Sequence, residues 1–216
     1  MKDATFDEYW EVQHSSRQWG KYPNEFLVKF LLSRYRDATT RKDVRVLEIG
    51  CGWGALAEKA IVEFGAHVTG VTLSTEQLHW AQQRLAKQGI GAQADLRLQD
   101  YRDINDGPYD AVCSIEMFEA VGHEYWATYF DNVARLLKPG GHACIQTITI
   151  HNDLFDRYIR STDFIQQYIF PGGLLPSATA FRDAAAAAGL QVVEQFAFGR
   201  DYAETLRRWR ARFQAE

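Results

Sequence analysis

Cysteine, proline and methionine are scarce in this sequence, and basic residues are not in surplus. The three cysteines, Cys51, Cys113 and Cys144, are odd in number and widely spaced, which fits neither a disulfide framework nor a zinc site. Lys and Arg number 24 against 28 for Asp and Glu, so the net charge is −4. Nucleic-acid-binding proteins usually carry a basic surplus, and this balance argues against such a partner. We expect a reducing compartment and no metal site.

Long hydrophobic runs are missing as well. No run approaches the roughly 20 apolar residues with which a helix crosses a bilayer. The opening residues, MKDATFDEYW, have neither the apolar core nor the small-residue cleavage site of a secretory signal. These absences predict a cytoplasmic protein. The hydrophobic content of 46% is ordinary for a globular domain with a sizeable core.

Apolar runs typical of strands alternate with helical patterns, which predicts a parallel sheet with crossover helices. The predicted strands are VRVLEI, HVTGVT, ADLRLQ, YDAVCSI, HACIQTITI and LQVVEQFAF. The predicted helices are EFLVKFLLSRYR after a cap at Asn24, ALAEKAIVEF, TEQLHWAQQRLAKQ, EYWATYFDNVARLL, SATAFRDAAAAAG and DYAETLRRWRARF. We expect one α/β domain over residues 1–216, with helices on both faces of a mostly parallel, twisted sheet.

Two segments fall outside this alternation. Residues 1–43 are predicted to form an N-terminal helical cover. Residues 150–176 are predicted to form a helical insert followed by a Pro/Gly loop, between a strand and a helix. An insert at the ligand end of the sheet is a candidate lid over a substrate. Local signals also predict a turn at KPGG and a capping box from Ser74 to Gln77.

The first predicted strand runs into a glycine loop, VRVLEIGCGWGAL, in which Glu48 precedes glycines at 50, 52 and 54. Glycines in a first βα turn let the backbone approach a nucleotide closely. The spacing is not GxGxxG, and Thr72 rather than an acid ends the second strand. Glu48 would repel a pyrophosphate but could accept a hydrogen bond from an ammonium or hydroxyl group. The loop therefore favours S-adenosylmethionine over NAD.

Acids follow the next two predicted strands. Asp100 either accepts a hydrogen bond from the adenine amino group or caps a turn. Glu116 and Glu119 lie in SIEMFEAVGHEYW, directly after the strand YDAVCSI. Ligands of open α/β sheets bind at this end of the strands. Glu116 either faces the cofactor or caps the following segment, and His123 is expected to cap the next helix.

Seven blocks between residues 44 and 214 together resemble the cyclopropane-fatty-acyl-phospholipid synthase family of S-adenosylmethionine-dependent methyltransferases. In chain order the blocks are VLEIGCGWG, GVTLSTEQ, LQDYRD, SIEMFEAVGHEYW, LLKPGG, YIFPGGLLPS and DYAETLRRW. The resemblance implies a Rossmann-like methyltransferase fold with a seven-stranded sheet. It also implies methyl transfer to the double bond of an unsaturated fatty acyl chain, with a phospholipid or other lipid-like acceptor.

The resemblance also implies roles for individual residues. Cofactor contacts would come from Gly50, Cys51, Gly52, Gly54, Thr72, Leu73, Gln77, Asp100, Tyr101, Arg102 and Ile115. A bicarbonate ion would act as the general base, held by Glu119, the backbone near Ile148 and Tyr202. Glu119 would thus position the base beside the positive charge that develops on the acyl chain.

The chain departs from the family pattern in three places, and the first two leave the bicarbonate and a cyclopropane product open. Gln146 stands where the family has His, and Gln can hydrogen-bond an anion but cannot shuttle a proton. Ser16 is the nearest counterpart of a family Cys. The family usually continues past the helix DYAETLRRWRARF, so we expect an exposed sheet edge. A partner chain or a second copy covering that edge, a truncation or a shortened branch would each account for it.

Aromatic residues have two interpretations. Phe118, Tyr168, Phe170 and Tyr202 either present ring faces to the developing cation or belong to the core. In the last helix, Tyr202, Leu206, Trp209 and Phe213 share one face, with arginines on the others. That face either packs into the core or rests on an anionic bilayer at the inner side of the membrane. The Tyr202 hydroxyl is expected to meet a polar group.

Two further functions stay open. A methyltransferase acting on a carbon or amine of a small natural product would keep the cofactor and change the acceptor. A non-catalytic subunit paired with an active relative would keep only the fold. Transfer of label to an amine would favour the small-molecule methyltransferase. Absence of S-adenosylmethionine binding would favour the non-catalytic subunit.

Overall fold

Five parallel strands form one sheet in the order β3-β2-β1-β4-β5, in a computed structural model that describes residues 34–35 and 41–215. The strands are β1 Arg45–Ile49, β2 His67–Thr72, β3 Ala94–Leu98, β4 Tyr109–Ile115 and β5 Leu137–Gln146. All four strand pairs are parallel. The order reverses between β1 and β4, and ligands bind at such a switch point in open α/β sheets.

Helices cover both faces of the sheet. They are α1 Ala55–Phe64, α2 Thr75–Lys87, α3 Trp126–Leu136, α4 Asn152–Tyr158, α5 Ala178–Ala187 and α6 Gly199–Ala215. Val46 packs in one core cluster with α1 and α2, and its neighbour Leu47 packs in the other with α3. Because successive strand residues point to opposite faces, this alternation buries β1 on both sides.

One predicted strand, LQVVEQFAF, is wrong. Residues 190–198 have no regular structure, and Val192, Val193 and Phe196 are exposed. A strand is stabilised by hydrogen bonds to a neighbour, and no described strand pairs with this segment. The described residues therefore form a sheet of five strands where the resemblance implied seven.

The predicted turn at KPGG lies inside strand β5. Against β4 the register steps from Tyr109 opposite Leu137 to Ala111 opposite His142, so the intervening residues of β5 bulge out. Gly140 has φ +76°, a left-handed conformation that favours glycine. The bulge replaces the predicted turn between helix and strand, and β5 ends at Gln146 rather than at residue 150.

The predicted insert is closed at its base. The Ile150 N–H donates to the Pro176 carbonyl oxygen at 3.0 Å, and Ile150 bridges to Ser177. Between these ends the predicted long helix is divided into α4 and a π-helical turn, Ile165–Ile169. The insert thus leaves and rejoins the fold at one point, next to the end of β5. Of the helix predicted after Asn24, only residues 34 and 35 are described, and Arg34 is helical.

Candidate active site

The glycine loop between β1 and α1 has left-handed backbone at each of its three glycines. Gly50, Gly52 and Gly54 have φ of +80°, +49° and +76°. A Cβ on Gly54 would lie 2.8 Å from the Cβ of Ala81 in α2, so the loop approaches that helix closely. A Cβ on Gly52 would meet open space. The loop, called the cradle below, is therefore open at Gly52 and lies at the switch point of the sheet.

Hydrogen bonds from the loop backbone hold the cradle against β2. The N–H groups of Gly50 and Cys51 donate to the Val71 carbonyl oxygen at 3.0 and 2.9 Å. Cys51 is buried, and burial raises the pKa of its thiol to about 12. The thiol therefore stays neutral at physiological pH and packs as a small apolar group.

Glu48 in β1 is a buried acid with an unpartnered oxygen. Its side chain is 3% exposed, and its Oε2 has no hydrogen-bond partner among the described residues. Burial raises the pKa of Glu48 well above its ordinary value, against a hydrogen bond from the Ala57 backbone. Burying an unsatisfied carboxyl group is unfavourable. A ligand ammonium or hydroxyl group in the cradle would satisfy this oxygen.

At the end of β2, Thr72 donates to Gln77 Oε1 at 3.0 Å and accepts from the Ser74 N–H at 3.2 Å. The Ser74 hydroxyl caps α2 by accepting from the Gln77 N–H at 3.2 Å. The predicted capping box is thus half formed, because the Gln77 side chain bonds Thr72 instead. Leu73 is 76% exposed and presents an apolar surface beside the cradle.

Asp100 follows β3 and caps the 3₁₀ turn Tyr101–Asp103. Its carboxylate accepts from the Arg102 N–H at 2.9 Å and from the Arg102 guanidinium at 2.6 and 3.0 Å. These bonds lower the pKa of Asp100. The structure therefore gives Asp100 the capping role. The Tyr101 ring packs edge-on against Tyr129 at 5.7 Å.

The strand ends that carry these residues lie side by side. Thr72 pairs with Leu98 across β2 and β3, and Ile49 pairs with Ser114 across β1 and β4. Ile115, the last residue of β4, packs against the core. The sheet thus places the predicted cofactor contacts along the carboxyl ends of its strands. Ser16 lies outside the described residues.

Glu119 follows β4 and binds the backbone beyond β5. Its Oε1 accepts from the Ile148 N–H at 2.5 Å, and its Oε2 is buried without a partner among the described residues. Burial raises the pKa of Glu119, the hydrogen bond from Ile148 opposes the rise, and the charge of Glu116 adds to it. The two groups that the resemblance assigns to one anion site are therefore in direct contact.

Glu116 joins two segments that are far apart in the sequence. Its Oε1 accepts from Gln146 Nε2 at 2.9 Å, and its Oε2 accepts from the Tyr202 hydroxyl at 3.2 Å. Burial and the charge of Glu116 raise the pKa of Tyr202 to about 12, so the phenol keeps its proton. The expected polar partner of Tyr202 is thus Glu116. No local spacing in the sequence indicated these contacts.

Phe118 belongs to the core. It is fully buried, with its ring 5.0–5.3 Å from those of Trp126, Tyr129, Phe130 and Phe181. This packing supports the core interpretation for Phe118.

Tyr168 and Phe170 lie on the insert, 65% and 66% exposed, and no contact described here joins them to the acids. The core interpretation is therefore wrong for both, and their role as ring faces near the site stays a prediction.

The prediction that His123 caps the next helix is wrong. Tyr125 precedes α3 as its cap, because His123 lies in a 3₁₀ turn with its ring 4.7 Å from that of Trp126.

The two ends of the apolar side of α6 differ in their surroundings. Tyr202 donates to Glu116 at 3.2 Å and packs against Phe198, whereas Trp209 and Phe213 are 52% and 86% exposed. The core interpretation therefore does not hold for the C-terminal end of this side.

In the described part of the chain, no group of His, Cys, Asp and Glu could hold a metal ion. None of its helices combines the length and hydropathy needed to cross a membrane.

Comparisons with known proteins identify related sequences. A sequence profile of the mycolic acid cyclopropane synthetase family matches residues 33–216. Tuberculostearic acid methyltransferase UfaA1 of Mycobacterium tuberculosis is 47% identical over 179 residues, which cover 82% of this chain and 41% of that protein. The cyclopropane-fatty-acyl-phospholipid synthase of Escherichia coli K12 is 41% identical over 174 residues, which cover 80% and 42%. The chain thus spans about two-fifths of the length of these relatives.

A solved structure has the same fold. Mycolic acid cyclopropane synthase CmaA1, complexed with SAH and CTAB, matches with a TM-score of 0.70 at 33% identity. The match covers 80% of this chain and 63% of that one. This likeness and the parallel sheet confirm the predicted Rossmann-like α/β fold. With a family profile matched from residue 33 to residue 216, the chain belongs to the mycolic acid cyclopropane synthetase family.

Proposed function

We propose that this chain carries the cofactor and methyl-transfer site of an S-adenosylmethionine-dependent enzyme that methylates the double bond of an unsaturated fatty acyl chain. The observation that carries the proposal is the cradle itself. The cradle is open at Gly52 and directly follows β1, which carries Glu48, a buried acid whose Oε2 has no partner among the described residues. The relatives named for fatty acyl substrates support the choice of acceptor.

The residues of the cradle fit S-adenosylmethionine. Glu48 would accept a hydrogen bond from its ammonium or a hydroxyl group, and the space at Gly52 would admit it close to the backbone. Leu73 would cover the adenine ring. The adenine amino group would donate to a lone pair of Asp100 that Arg102 does not use. When bound, this cofactor supplies an electrophilic methyl group on a positively charged sulfur. A cation without phosphate suits an acidic cradle.

Bicarbonate does not fit the residues that would hold it. The Gln146 amide and the Tyr202 hydroxyl already donate to Glu116, and the Ile148 N–H donates to Glu119. An anion placed among them would compete with carboxylates of the chain and be repelled by their charge. We therefore route no step of the reaction through bicarbonate.

We propose that residues 1–216 act as one domain, in which the insert at 150–176 lies over the substrate. The insert rejoins the fold beside the acids, since the Leu174 N–H donates to the Glu119 carbonyl oxygen at 2.9 Å.

The exposed side of α6, with Trp209 and Phe213 next to arginines, supports contact with an anionic bilayer. Cosedimentation with anionic and neutral vesicles tests that contact.

Label transfer tests the reaction. The protein is incubated with S-adenosylmethionine labelled in its methyl group and with vesicles of unsaturated phospholipid, and the acyl chains are analysed by mass spectrometry. We expect a gain of one CH₂ unit in unsaturated chains and none in saturated ones. Label found only in small amines or other small acceptors would replace the lipid by a natural product. Absence of cofactor binding would favour a non-catalytic partner subunit.

A further inference from the structure

Two side-chain donors, Gln146 at the end of β5 and Tyr202 on α6, converge on one exposed carboxylate, that of Glu116. Each of its oxygens has its own donor, Gln146 Nε2 at 2.9 Å and the Tyr202 hydroxyl at 3.2 Å. A carboxylate and a bicarbonate ion share a planar O–C–O group and a single negative charge. The side chain of Glu116 therefore takes up donors that would otherwise bind a small oxyanion.

The backbone of Glu116 is held in an unusual conformation. Its φ is +48°, and it is the one residue other than glycine with positive φ among the described residues. Its N–H donates to the Gln146 carbonyl oxygen at 2.9 Å, which fixes the residue against the end of β5. Strained backbone of this kind persists where the surrounding structure holds it, and it concentrates at functional sites. Here the strain directs a carboxylate toward Gln146 and Tyr202.

We propose that Glu116 is the general base of the methyl transfer and replaces a bound bicarbonate. The inference rests on the proposed function. Gln146 and Tyr202 are positioning residues that orient the two oxygens of Glu116. Because Gln146 cannot carry a proton, the proton acceptor is the carboxylate it holds. Glu116 is exposed, so a substrate that enters beside the insert can reach it.

The step is balanced in atoms and electrons. Methyl transfer uses the π-electron pair of the alkene to form a new C–C bond, while the S–CH₃ bond breaks and leaves its electron pair on sulfur. The acyl chain is then a carbocation. The Glu116 carboxylate takes one proton from it, and the C–H electron pair closes a ring or forms a new double bond. The products are the neutral thioether, the modified acyl chain and protonated Glu116.

The variants Glu116→Gly and Glu116→Gln show whether the general base is the Glu116 carboxylate or a bound bicarbonate ion. Glycine suits φ +48° and opens the anion position, whereas glutamine keeps the volume but takes up no proton. Turnover is measured with unsaturated phospholipid in buffer freed of carbon dioxide, with and without added bicarbonate. Glu63→Gln, which removes a carboxylate that pairs with Lys59 on α1, serves as the control.

We expect wild-type and Glu63→Gln turnover to be unchanged by bicarbonate. Glu116→Gly should lose about 10²–10⁴-fold, the usual contribution of a general base, and recover with bicarbonate. Glu116→Gln should lose as much without recovery. Wild-type activity that depends on bicarbonate, or full activity of Glu116→Gly without it, would overturn the proposal.

Binding of ¹³C-labelled bicarbonate, followed by NMR line broadening, gives a readout that does not need turnover. We expect binding to Glu116→Gly and none to wild type. Binding to wild type, or none to a folded Glu116→Gly protein, would overturn the replacement. If wild type methylates no lipid, the proposed function fails, and this measurement still decides whether Glu116 occupies the anion position.

Discussion

Replacement of Gly54 by alanine tests whether the cradle depends on close packing against α2. Gly54 has φ +76°, and a left-handed conformation costs an L-residue about 1–2 kcal/mol. The new Cβ would lie 2.8 Å from the Cβ and 3.2 Å from the Cα of the buried Ala81. Overpacking of this kind costs about 1–3 kcal/mol. We therefore expect Gly54→Ala to lower the free energy of unfolding by about 2–5 kcal/mol.

Gly89→Ala is the matched control. Gly89 has φ +70°, but a Cβ there meets nothing within 4 Å, so only the conformational cost of about 1–2 kcal/mol applies. Urea unfolding followed by circular dichroism gives both values. Ala81→Gly in the Gly54→Ala background should recover part of the loss, beyond what the single variants predict. Equal losses at Gly54 and Gly89, or no coupling with Ala81, would refute the packing argument.

Three further predictions follow from ionisable groups near the sheet. Burial raises the pKa of Glu119 above 4.5. The protonated group therefore stabilises the fold below that pH, and this stability is lost as the pH rises through the folded pKa. The Tm of Glu119→Gln relative to wild type should thus increase from acid to neutral pH, while the variant loses turnover. The hydrogen bond from Arg97 lowers the pKa of Asp106 to about 2, so the stability that it contributes is lost as the pH falls from 3.8 toward 2. Asp106→Asn should lower the free energy of unfolding by less than about 1 kcal/mol at pH 7 and leave it unchanged below pH 2. Urea titrations at both pH values measure the two differences. Tyr202→Phe removes a hydrogen bond to the exposed Glu116 carboxylate, worth about 1.5 kcal/mol at the low end for a bond to a charged group. Turnover should therefore fall about tenfold at an unchanged cofactor Kd, and unchanged turnover would exclude the positioning role.

Local sequence signals predicted the elements that they alone determine. Strands β2 and β4 and helix α1 have the predicted bounds, because dense apolar runs mark the two strands and glycines at 54 and 65 bound the helix. LQVVEQFAF carries an equally good strand pattern and forms none. The difference is physical: a strand needs a neighbour, and a local pattern does not report whether one is present.

Only part of the site was predictable, because local patterns do not show which distant residues come into contact. The resemblance brought Glu119 and the Ile148 backbone together, and the structure places them in contact. The contacts of Glu116 were missed, since Gln146 and Tyr202 lie 30 and 86 positions away in the chain. A positive φ at a glutamate has no signature in the sequence. Asp100 illustrates the opposite case, in which a simple capping pattern described the observed contacts.

Calorimetric titration of wild type and Glu48→Gln with S-adenosylmethionine tests the central claim most directly. The account predicts one site in wild type and about ten- to hundredfold weaker binding in the variant, the effect of losing a hydrogen bond to a buried charged group. Glu63→Gln should bind like wild type. Absence of binding to wild type, or equal affinity of Glu48→Gln, would contradict the claim that the glycine cradle and its buried acid hold this cofactor.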